Sequence, residues 1–187
     1  MRHIDKILES GNTVFKANEF ALLLDIENKN TLKSILQRFK KAGIIIYHWL
    51  GLRSLKKYNP YELASKIKSK SYISLETVLQ KEWVIFQDYE NTVTLISDKS
   101  FEQKIDTKIY SFYKIKDTIL LNTIGIKDMG KYMMATKERA ICDRIYLTPS
   151  YYFDNLSNLN IKLLEKLSTI YNNSTNLRIK KLINELK

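Results

Sequence analysis

The sequence predicts a protein of the α+β class. Apolar residues recur at helical spacing in the first and last parts of the chain, while β-branched and aromatic runs separated by turn residues fill the middle. The 187 residues, 44% of them hydrophobic, are enough to bury a core. We expect helices followed by a β-hairpin over residues 1–58, an α/β region with a small mixed or antiparallel sheet over 59–149, and a C-terminal helical pair over 150–187.

The N-terminal region has the clearest pattern. Its predicted elements are helices at 3–9, at 17–24 and from Asn28 or Asn30 to Gly43, then strands at 44–49 and 53–58 joined at Leu50 and Gly51. The third helix has one apolar stripe, which consists of Leu32, Ile35, Leu36 and Phe39. Its other side is polar and cationic. We expect His48 and Trp49 to pack within the hairpin.

Positive charge is concentrated between Asn28 and Lys70. This stretch contains eleven Lys or Arg residues and one acid, Glu62, and therefore carries +10 of the formal net charge of +11. Residues 71–187 are nearly balanced, with 17 basic and 14 acidic side chains. A cationic stretch of this kind is typical of proteins that bind a polyanion.

A helix, a turn, a cationic helix and a basic hairpin, in this order, predict a winged helix-turn-helix that binds double-stranded DNA. The third helix would enter the major groove, and the hairpin would touch the flanking backbone or an adjacent minor groove. A solvated helix face without a partner is the alternative. The residues predicted to contact DNA are Lys29, Asn30, Thr31, Lys33, Ser34, Gln37, Arg38, Lys41, Arg53, Lys56 and Lys57, with Lys33, Gln37 and Arg38 foremost.

The rest of the chain is predicted to mix helices and strands. The expected elements are helices at 61–67 and 74–80, strands at 84–86, 92–97, 109–115, 118–123 and 132–135, a helix from the Thr136 cap to Tyr146, and two helices between Leu156 and Lys187 broken at 172–175. Cys142 is expected on the buried side of the helix that follows Thr136.

Composition argues against several classes of function. A single cysteine cannot form an intrachain disulfide, and His3 and His48 are too few for a zinc-type site. We therefore expect no metal site built from His and Cys, and no cofactor. No apolar run is long enough to cross a membrane and no signal sequence is evident, so we expect a cytoplasmic protein without a membrane partner.

Two blocks of sequence resemble a known family. The first runs from Asn59-Pro60-Tyr61-Glu62-Leu63-Ala64 to Ser71-Tyr72-Ile73-Ser74-Leu75-Glu76-Thr77-Val78-Leu79, and the second is Ala135-Thr136-Lys137-Glu138-Arg139-Ala140-Ile141-Cys142-Asp143-Arg144-Ile145-Tyr146-Leu147. Both resemble signature blocks of the AbiEi antitoxins, the regulators of type IV toxin–antitoxin and abortive-infection systems of phage defence. The resemblance covers about residues 13–149. The sequence departs from the family pattern at Arg53, at Arg139, where Lys is usual, and at Glu82-Trp83-Val84-Ile85.

The resemblance implies a DNA-binding antitoxin that represses its own operon and counteracts a nucleotidyltransferase-type toxin, without catalysis of its own. It implies a winged helix-turn-helix at residues 1–58, an antitoxin domain at 59–149 and, on an inverted-repeat operator, two copies of the chain. The antitoxin motif residues would be Ser71, Tyr72, Ser74, Glu138, Arg139, Asp143 and Arg144. The last four are expected on a charged helix face, either for the toxin function or as salt bridges that support the sheet. Residues 150–187 lie outside the matching motifs, and the sequence leaves their role open between dimerisation, toxin contact and others.

Two other functions are open to the sequence. Asp98 with Glu102-Gln103-Lys104 resembles a metal-dependent nuclease motif, in which two carboxylates hold Mg²⁺ and a lysine stabilises charge. The residues from Ser97 to Ser100, however, predict a turn and not the end of a strand. A solitary regulator that senses a small ligand is the second alternative, although no Gly-rich phosphate loop supports it.

Overall fold

A computed structural model describes residues 3–89 and 91–186 and shows an α+β protein with two sheets. Lys187, the end of the predicted helical tail, lies outside these residues. The elements in chain order are α1 (His3–Glu9), β1 (Val14–Phe15), α2 (Ala17–Leu24), α3 (Lys29–Lys41), β2 (Ile45–Tyr47), β3 (Arg53–Leu55), α4 (Pro60–Ile67), β4 (Ser71–Ile73), α5 (Glu76–Lys81), β5 (Thr92–Ser97), β6 (Phe101–Ile105), β7 (Lys108–Lys114), α6 (Asp117–Leu120), β8 (Ile126–Asp128), β9 (Met133–Ala135), α7 (Lys137–Leu147), α8 (Ile161–Ser168) and α9 (Asn173–Glu185).

The chain packs as two compact units, Met1–Ser69 and Lys70–Lys187. Helix α4 belongs to the first unit, although its sequence opens the region predicted to start at residue 59. Glu62 on this helix explains the attachment, because its buried carboxylate accepts hydrogen bonds from the backbone N–H of Thr13 at 3.0 Å and of Val14 at 3.2 Å. These bonds satisfy donors at the start of β1, so α4 is anchored to the small sheet.

In its described residues, the first unit contains four α-helices, α1 to α4, and a three-stranded antiparallel sheet of order β1-β3-β2. The predicted helices at 3–9 and 17–24 are confirmed, whereas β1 was not predicted because two residues are too few for a strand pattern. The rings of Phe15 and Phe20 stack at 4.5 Å between centroids. The core cluster consists of Ile7, Phe15, Phe20, Leu24, Leu32, Ile35, Leu36 and Ile45.

Helix α3 begins and ends where the sequence predicts. The Asn28 side chain caps it by accepting hydrogen bonds from the N–H groups of Asn30 and Thr31 at 2.8 and 3.1 Å. The chain leaves the helix through Gly43, whose φ of +68° lies in the left-handed region. Because the apolar stripe packs on the core, the polar side of α3 is exposed.

Strands β2 and β3 form the predicted hairpin. The turn between them has two consecutive left-handed residues, Leu50 and Gly51, and is closed by a hydrogen bond from the Leu52 N–H to the Trp49 carbonyl at 3.2 Å. His48 packs within the hairpin as expected, since its Nε2 lies 2.7 Å from the Ser54 hydroxyl. The same expectation was wrong for Trp49, whose side chain is 56% exposed.

The second unit contains a mixed six-stranded sheet of order β6-β7-β5-β4-β9-β8. The central pairs β5–β7 and β4–β9 are parallel, and the pairs β4–β5, β6–β7 and β8–β9 are antiparallel. The predicted strands at 92–97, 109–115 and 132–135 correspond to β5, β7 and β9. The predicted Thr136 cap is confirmed, because its hydroxyl accepts from the Arg139 N–H at 3.3 Å.

Several predictions for this unit were wrong. Residues 118–123 do not form a strand; α6 occupies 117–120, and its apolar side chains Ile119 and Leu120 are buried as a short helical turn. Residues 84–86 lack strand pairing, and β4, β6 and β8 were missed. Strand β4 has three residues and lies just before α5. It was not predicted because these residues were expected to link two helices. In a short buried run, the periodicity of apolar residues does not distinguish a strand from a helix.

Helices α8 and α9 form the expected C-terminal pair and pack on α7 within the second unit. Helix α9 begins at an Asn172 cap that accepts from the Thr175 N–H at 2.9 Å. Cys142 on α7 is buried, as predicted. No helix in residues 3–89 and 91–186 is long and apolar enough to cross a membrane.

Candidate nucleic-acid interface

The residues predicted to contact DNA all belong to the first unit. All of them are exposed except Arg53, which is half-buried at the start of β3. We use the term cationic surface for the basic side chains that α3 and the hairpin expose: Lys29, Lys33, Arg38, Lys40, Lys41, Arg53, Lys56 and Lys57. The sequence contains no acid from Asn28 to Tyr61, so no carboxylate within this stretch offsets the charge.

A groove of about 620 Å³ brings part of this surface together. It lies between the start of α2, helix α3 and the hairpin, with the apolar side chains of Leu32 and Leu36 in its lining. Three cations border it, Lys29 and Lys33 from α3 and Arg53 from β3, together with one acid, Glu27, which precedes α3. The groove also includes Gln37, so two of the three foremost predicted contacts, Lys33 and Gln37, lie beside the hairpin arginine.

Tyr47 connects the two cationic elements. The Lys40 Nζ lies 4.8 Å from the centre of its ring, and the Arg53 guanidinium carbon lies 5.0 Å from the same centre. Such contacts orient cations that would otherwise repel each other. The Arg53 Nη1 also donates to the Gly51 carbonyl at 2.5 Å, which holds the guanidinium against the hairpin.

Other predicted contacts do not line the groove. On a helix, residues 29, 33 and 37 form one row at i, i+4 spacing, whereas Thr31, Ser34 and Arg38 follow a different row. Arg38 therefore projects from another part of the exposed side of α3. Lys56 and Lys57 follow the end of β3 and are exposed.

The basic stretch beyond the hairpin differs from the cationic surface. The Lys66 Nζ donates to the Glu19 carboxylate at 2.5 Å, and the Lys70 Nζ donates to Asp117 at 3.2 Å. Glu62, the one acid of the stretch, is buried against β1. Lys66 and Lys70 are thus paired with carboxylates, and these salt bridges leave the positive charge of residues 29–57 unaffected.

The two sequence blocks resembling the antitoxin family meet in a buried polar network of the second unit. Arg139 is fully buried, and its guanidinium donates to the carbonyls of Ile119 at 2.8 Å, Asn122 at 3.2 Å and Ile124 at 2.9 Å. Its Nη2 also donates to the Tyr72 hydroxyl at 3.0 Å. The chain after α6 therefore wraps around this side chain.

Asp143 is the acceptor at the centre of this network. It receives hydrogen bonds from the hydroxyls of Ser74 at 2.8 Å, Tyr72 at 3.0 Å and Tyr171 at 2.6 Å, and from the Arg139 Nε at 3.3 Å. Strand β4, helix α7 and the residue preceding the Asn172 cap are thereby tied to one carboxylate. The charged face of α7 lies in the core, where Arg139 and Asp143 form a buried salt bridge, in agreement with the structural alternative for these residues.

Burial and charge shift the pKa values of the network in defined directions. Burial raises the pKa of Tyr72 and Tyr171 well above the ordinary value, and the neighbouring Asp143 carboxylate adds to the effect. Burial also raises the pKa of Asp143, although Arg139 and the hydroxyl donors oppose it. Burial alone would lower the pKa of Arg139, but Asp143 and the two tyrosines outweigh it and raise that pKa. Both phenols therefore stay protonated as donors.

Glu138 and Arg144 are also buried and have separate partners. Arg144 pairs with Glu76 on α5, and its guanidinium carbon lies 5.0 Å from the centre of the Tyr151 ring. The Glu138 carboxylate accepts from the Asn160 N–H at 3.0 Å, next to the start of α8. Helix α7 thus uses its charged side chains to fix α5 and α8.

Sequence reasoning missed several members of these contacts. Glu76 and Tyr171 were not selected, although each bonds a residue of the predicted motif. Thr77 and Thr94 exchange hydrogen bonds, from the Thr77 N–H to the Thr94 hydroxyl at 3.0 Å and from the Thr94 N–H to the Thr77 hydroxyl at 2.7 Å. Ser71 pairs with Ser97 in the ladder between β4 and β5. The block from Ser71 to Thr77 therefore supplies structural contacts at most of its polar positions.

The residues resembling a nuclease motif lie on the edge strand β6 and before it. Glu102 accepts a hydrogen bond from the Ser111 hydroxyl at 3.0 Å, and Lys104 shares its exposed side of the strand. Contrary to the expectation of a turn over Ser97 to Ser100, Ser97 is the last residue of strand β5, and Asp98 follows this strand end in a bend. In the described parts of the chain, no three His, Cys, Asp or Glu side chains form a group that could hold a metal ion.

Comparison with known proteins identifies a similar fold. No protein-family model and no curated protein matches the chain. The crystal structure of the Rv2827c protein from Mycobacterium tuberculosis is similar with a TM-score of 0.56 and 11% sequence identity, over 97% of this chain and 76% of that chain. At this identity the likeness concerns the fold alone.

Proposed function

We propose that the first unit is a winged helix-turn-helix that binds double-stranded DNA. The observation that carries the proposal is the cationic surface, which is exposed, contains no acid in its sequence and spans one helix and the adjoining hairpin. Cations on two neighbouring elements can neutralise several phosphates at once, which is the main source of affinity for a duplex. Helix α3 then lies in the major groove and the hairpin contacts the flanking backbone.

The arrangement of elements supports this assignment. The β2–β3 hairpin follows α3 directly in the chain. Strand β2 is an edge strand of the sheet of order β1-β3-β2, and it packs against α3. Gln37, Asn30 and Ser34 are exposed between the cations, so α3 offers both phosphate contacts and groups that read base edges. A merely solvated helix would not need this combination.

We further propose that DNA binding represses transcription of the operon that encodes this chain, with two copies on an inverted repeat. The chain would also act as the antitoxin to a nucleotidyltransferase-type toxin, and this part of the proposal rests on the resemblance of the two sequence blocks. Because Arg139, Asp143 and Tyr72 are buried, they would support the antitoxin domain from within, and toxin neutralisation would use other, exposed residues. The proposal requires a nucleotidyltransferase-type gene beside the chain's own reading frame, and coexpression with that gene tests it: rescued growth is expected, and absence of the gene or unrelieved toxicity would contradict this part.

Footprinting on the DNA that precedes the chain's own reading frame tests the repressor function. The expected result is protection of an inverted repeat by the full-length protein. Lys33→Ala with Arg38→Ala should weaken the binding by about tenfold or more, since each side chain contributes a phosphate or base contact.

The matched control is Lys162→Ala with Lys180→Ala, which removes two exposed lysines from α8 and α9. This pair removes the same net charge and should leave the footprint unchanged. Uniform protection of every sequence, with no preferred site, would contradict the repressor function.

A further inference from the structure

The tip of the hairpin consists of two large apolar side chains that project into solvent. Trp49 and Leu50 are each 56% exposed, whereas the next residue, Leu52 beyond the turn glycine, is buried in the unit. Exposure of two adjacent large apolar residues at the end of a hairpin is costly in water. We refer to Trp49 and Leu50 as the hairpin tip.

The backbone at the tip is strained in a way that packing does not explain. Leu50 has φ 57° and ψ 24°, and Gly51 has φ 67°. Two consecutive left-handed residues define a type I′ turn, whose first central position strongly favours Asn, Asp or Gly. A leucine in this conformation costs roughly 1–2 kcal/mol. Since its side chain is largely exposed, burial within the unit does not offset that cost, and such strain points to an external role.

The tip is held rigidly. The His48 N–H donates to the Leu52 carbonyl at 2.8 Å, and the His48 ring contacts the Ser54 hydroxyl and lies edge-on to the Tyr58 ring at 5.3 Å between centroids. Buried Leu52 anchors the strand that returns from the turn. A rigid support lowers the entropy lost when the two apolar side chains are inserted into a partner.

The surroundings of the tip are cationic. Arg53 donates to the carbonyl of Gly51 within the turn, and Lys40 from α3 contacts the same Tyr47 ring as Arg53. An apolar tip flanked by cations complements a nucleic acid, in which base planes are apolar and lie between two rows of phosphates.

We propose that the hairpin tip is an apolar wedge that enters the minor groove next to the site of α3 and inserts between two base pairs. Trp49 and Leu50 partly unstack one step and bend the duplex towards the major groove, while the cations around them hold the adjacent phosphates. Flexible pyrimidine–purine steps such as TA favour insertion because they unstack most easily. This inference rests on the proposed DNA binding.

The test uses the full-length chain with Trp83→Phe, which leaves Trp49 as the sole tryptophan of the two in the sequence. It is titrated with a duplex that carries a donor and an acceptor dye at its ends. At saturation the Trp49 emission should fall through stacking on bases, and the energy transfer should rise as for a bend of about 20–90°. A duplex whose TA steps are replaced by a stiff A-tract should bend less.

Two variants serve as controls. Leu50→Asn alone is used for thermal unfolding, and Leu50→Asn with Trp49→Ala is used in the dye experiment. Asn suits the type I′ turn, so Leu50→Asn alone should unfold at an equal or higher temperature while it removes half of the wedge. The double variant should still bind the duplex through α3 and lose the rise in energy transfer.

The outcomes separate the two proposals. Binding by the wild-type protein without tryptophan quenching or bending would overturn the wedge and leave the DNA-binding function intact. Failure to bind any duplex would overturn both. Quenching or a blue shift of Trp49 with anionic lipid vesicles, and none with DNA, would also overturn the wedge and assign the tip to a membrane surface.

Discussion

At the scale of single residues, the second unit depends on one buried guanidinium. Arg139 has no exposed surface, and three backbone carbonyls, one hydroxyl and one carboxylate share its donors. A buried ion pair is stable only when every donor and acceptor is satisfied. Here the arginine both balances Asp143 and fixes the path of the chain between α6 and β8.

Removal of this guanidinium should be severe. Arg139→Met leaves Asp143 as a buried, unbalanced charge, and we expect a loss of about 3–5 kcal/mol in the free energy of unfolding, measured by urea denaturation. Arg178→Met, an exposed change on α9, is the control and should cost little. Adding Asp143→Leu to Arg139→Met should recover part of the loss. An unchanged unfolding midpoint for Arg139→Met would contradict the network.

Tyr72 and Tyr171 predict a dependence of stability on alkaline pH. Their pKa values are raised in the folded protein, whereas unfolded tyrosines ionise near pH 10, so above that pH the unfolded state binds fewer protons. The stability that these two phenols contribute should therefore be complete below about pH 10 and fall as pH rises further, by up to about 1.4 kcal/mol per pH unit for each tyrosine, in addition to the losses from Cys142 and Tyr151, whose pKa values burial also raises. Denaturant unfolding at a series of pH values measures this slope.

Tyr171→Phe separates the two contributions. The variant loses the hydrogen bond to Asp143, which lowers stability at neutral pH, but it also removes one ionising group with a raised pKa. We expect its alkaline slope to be shallower than that of the wild type by up to about 1.4 kcal/mol per pH unit. Tyr152→Phe, at an exposed tyrosine, should keep the wild-type slope. An equal slope for Tyr171→Phe would show that this phenol ionises normally.

At the scale of secondary-structure elements, the turn before β8 sets how closely the chain can approach α7. A Cβ atom at Gly125 would lie 2.9 Å from the Arg139 Cβ, and the residue has a left-handed φ of +72°. Gly125→Ala should therefore destabilise the second unit by about 2 kcal/mol or more, through strain and forced displacement of α7. Thermal unfolding measures the change.

Gly130→Ala is a matched comparison for this prediction. Gly130 has a φ of +80°, and nothing lies within 4 Å of the position that a Cβ atom would take there. It should show only the cost of the left-handed backbone, about 1 kcal/mol. Equal losses for the two variants would mean that the close approach of Gly125 to Arg139 has no energetic weight.

Sequence patterns predicted some elements well because their signals are local. Helix α3 has an Asn cap, a complete apolar stripe and a terminal glycine, and these fix its bounds without knowledge of the fold. Strand β1 and helix α6 have two and four residues, so no repeating pattern exists to be recognised. Their conformation is decided by partners distant in sequence, such as Glu62 for β1 and Arg139 for the chain around α6.

The candidate sites differ in the same way. Charge density alone selected the cationic surface, because exposed lysines need no specific neighbour. The charges of α7 were expected on one helix face, either for the toxin function or as structural salt bridges, and the local pattern could not decide between these two roles. Their burial follows from contacts with Tyr72, Tyr171 and Glu76, which are 28 or more residues away from their partners in the sequence.

At the scale of the whole molecule, charge is divided unequally between the two units. Met1–Ser69 contains 13 basic and 6 acidic side chains and carries +7, whereas Lys70–Lys187 contains 18 basic and 14 acidic side chains and carries +4 over a longer stretch. The charge that would attract a duplex is therefore concentrated in the first unit, and the second unit uses buried charges for its own stability. This division predicts that a general loss of positive charge and a local loss on α3 have different effects on DNA binding.

The most direct test of the DNA-binding proposal is the salt dependence of duplex affinity, measured by fluorescence anisotropy on one fixed duplex. For Lys33→Ala with Arg38→Ala, we expect weaker binding and a slope of log K against log salt that is shallower by about 2, because two phosphate contacts are lost. Lys162→Ala with Lys180→Ala should retain the wild-type affinity and slope. Identical slopes for all three proteins, or equal losses in both variants, would contradict the proposal that residues 29–57 form the DNA-binding surface.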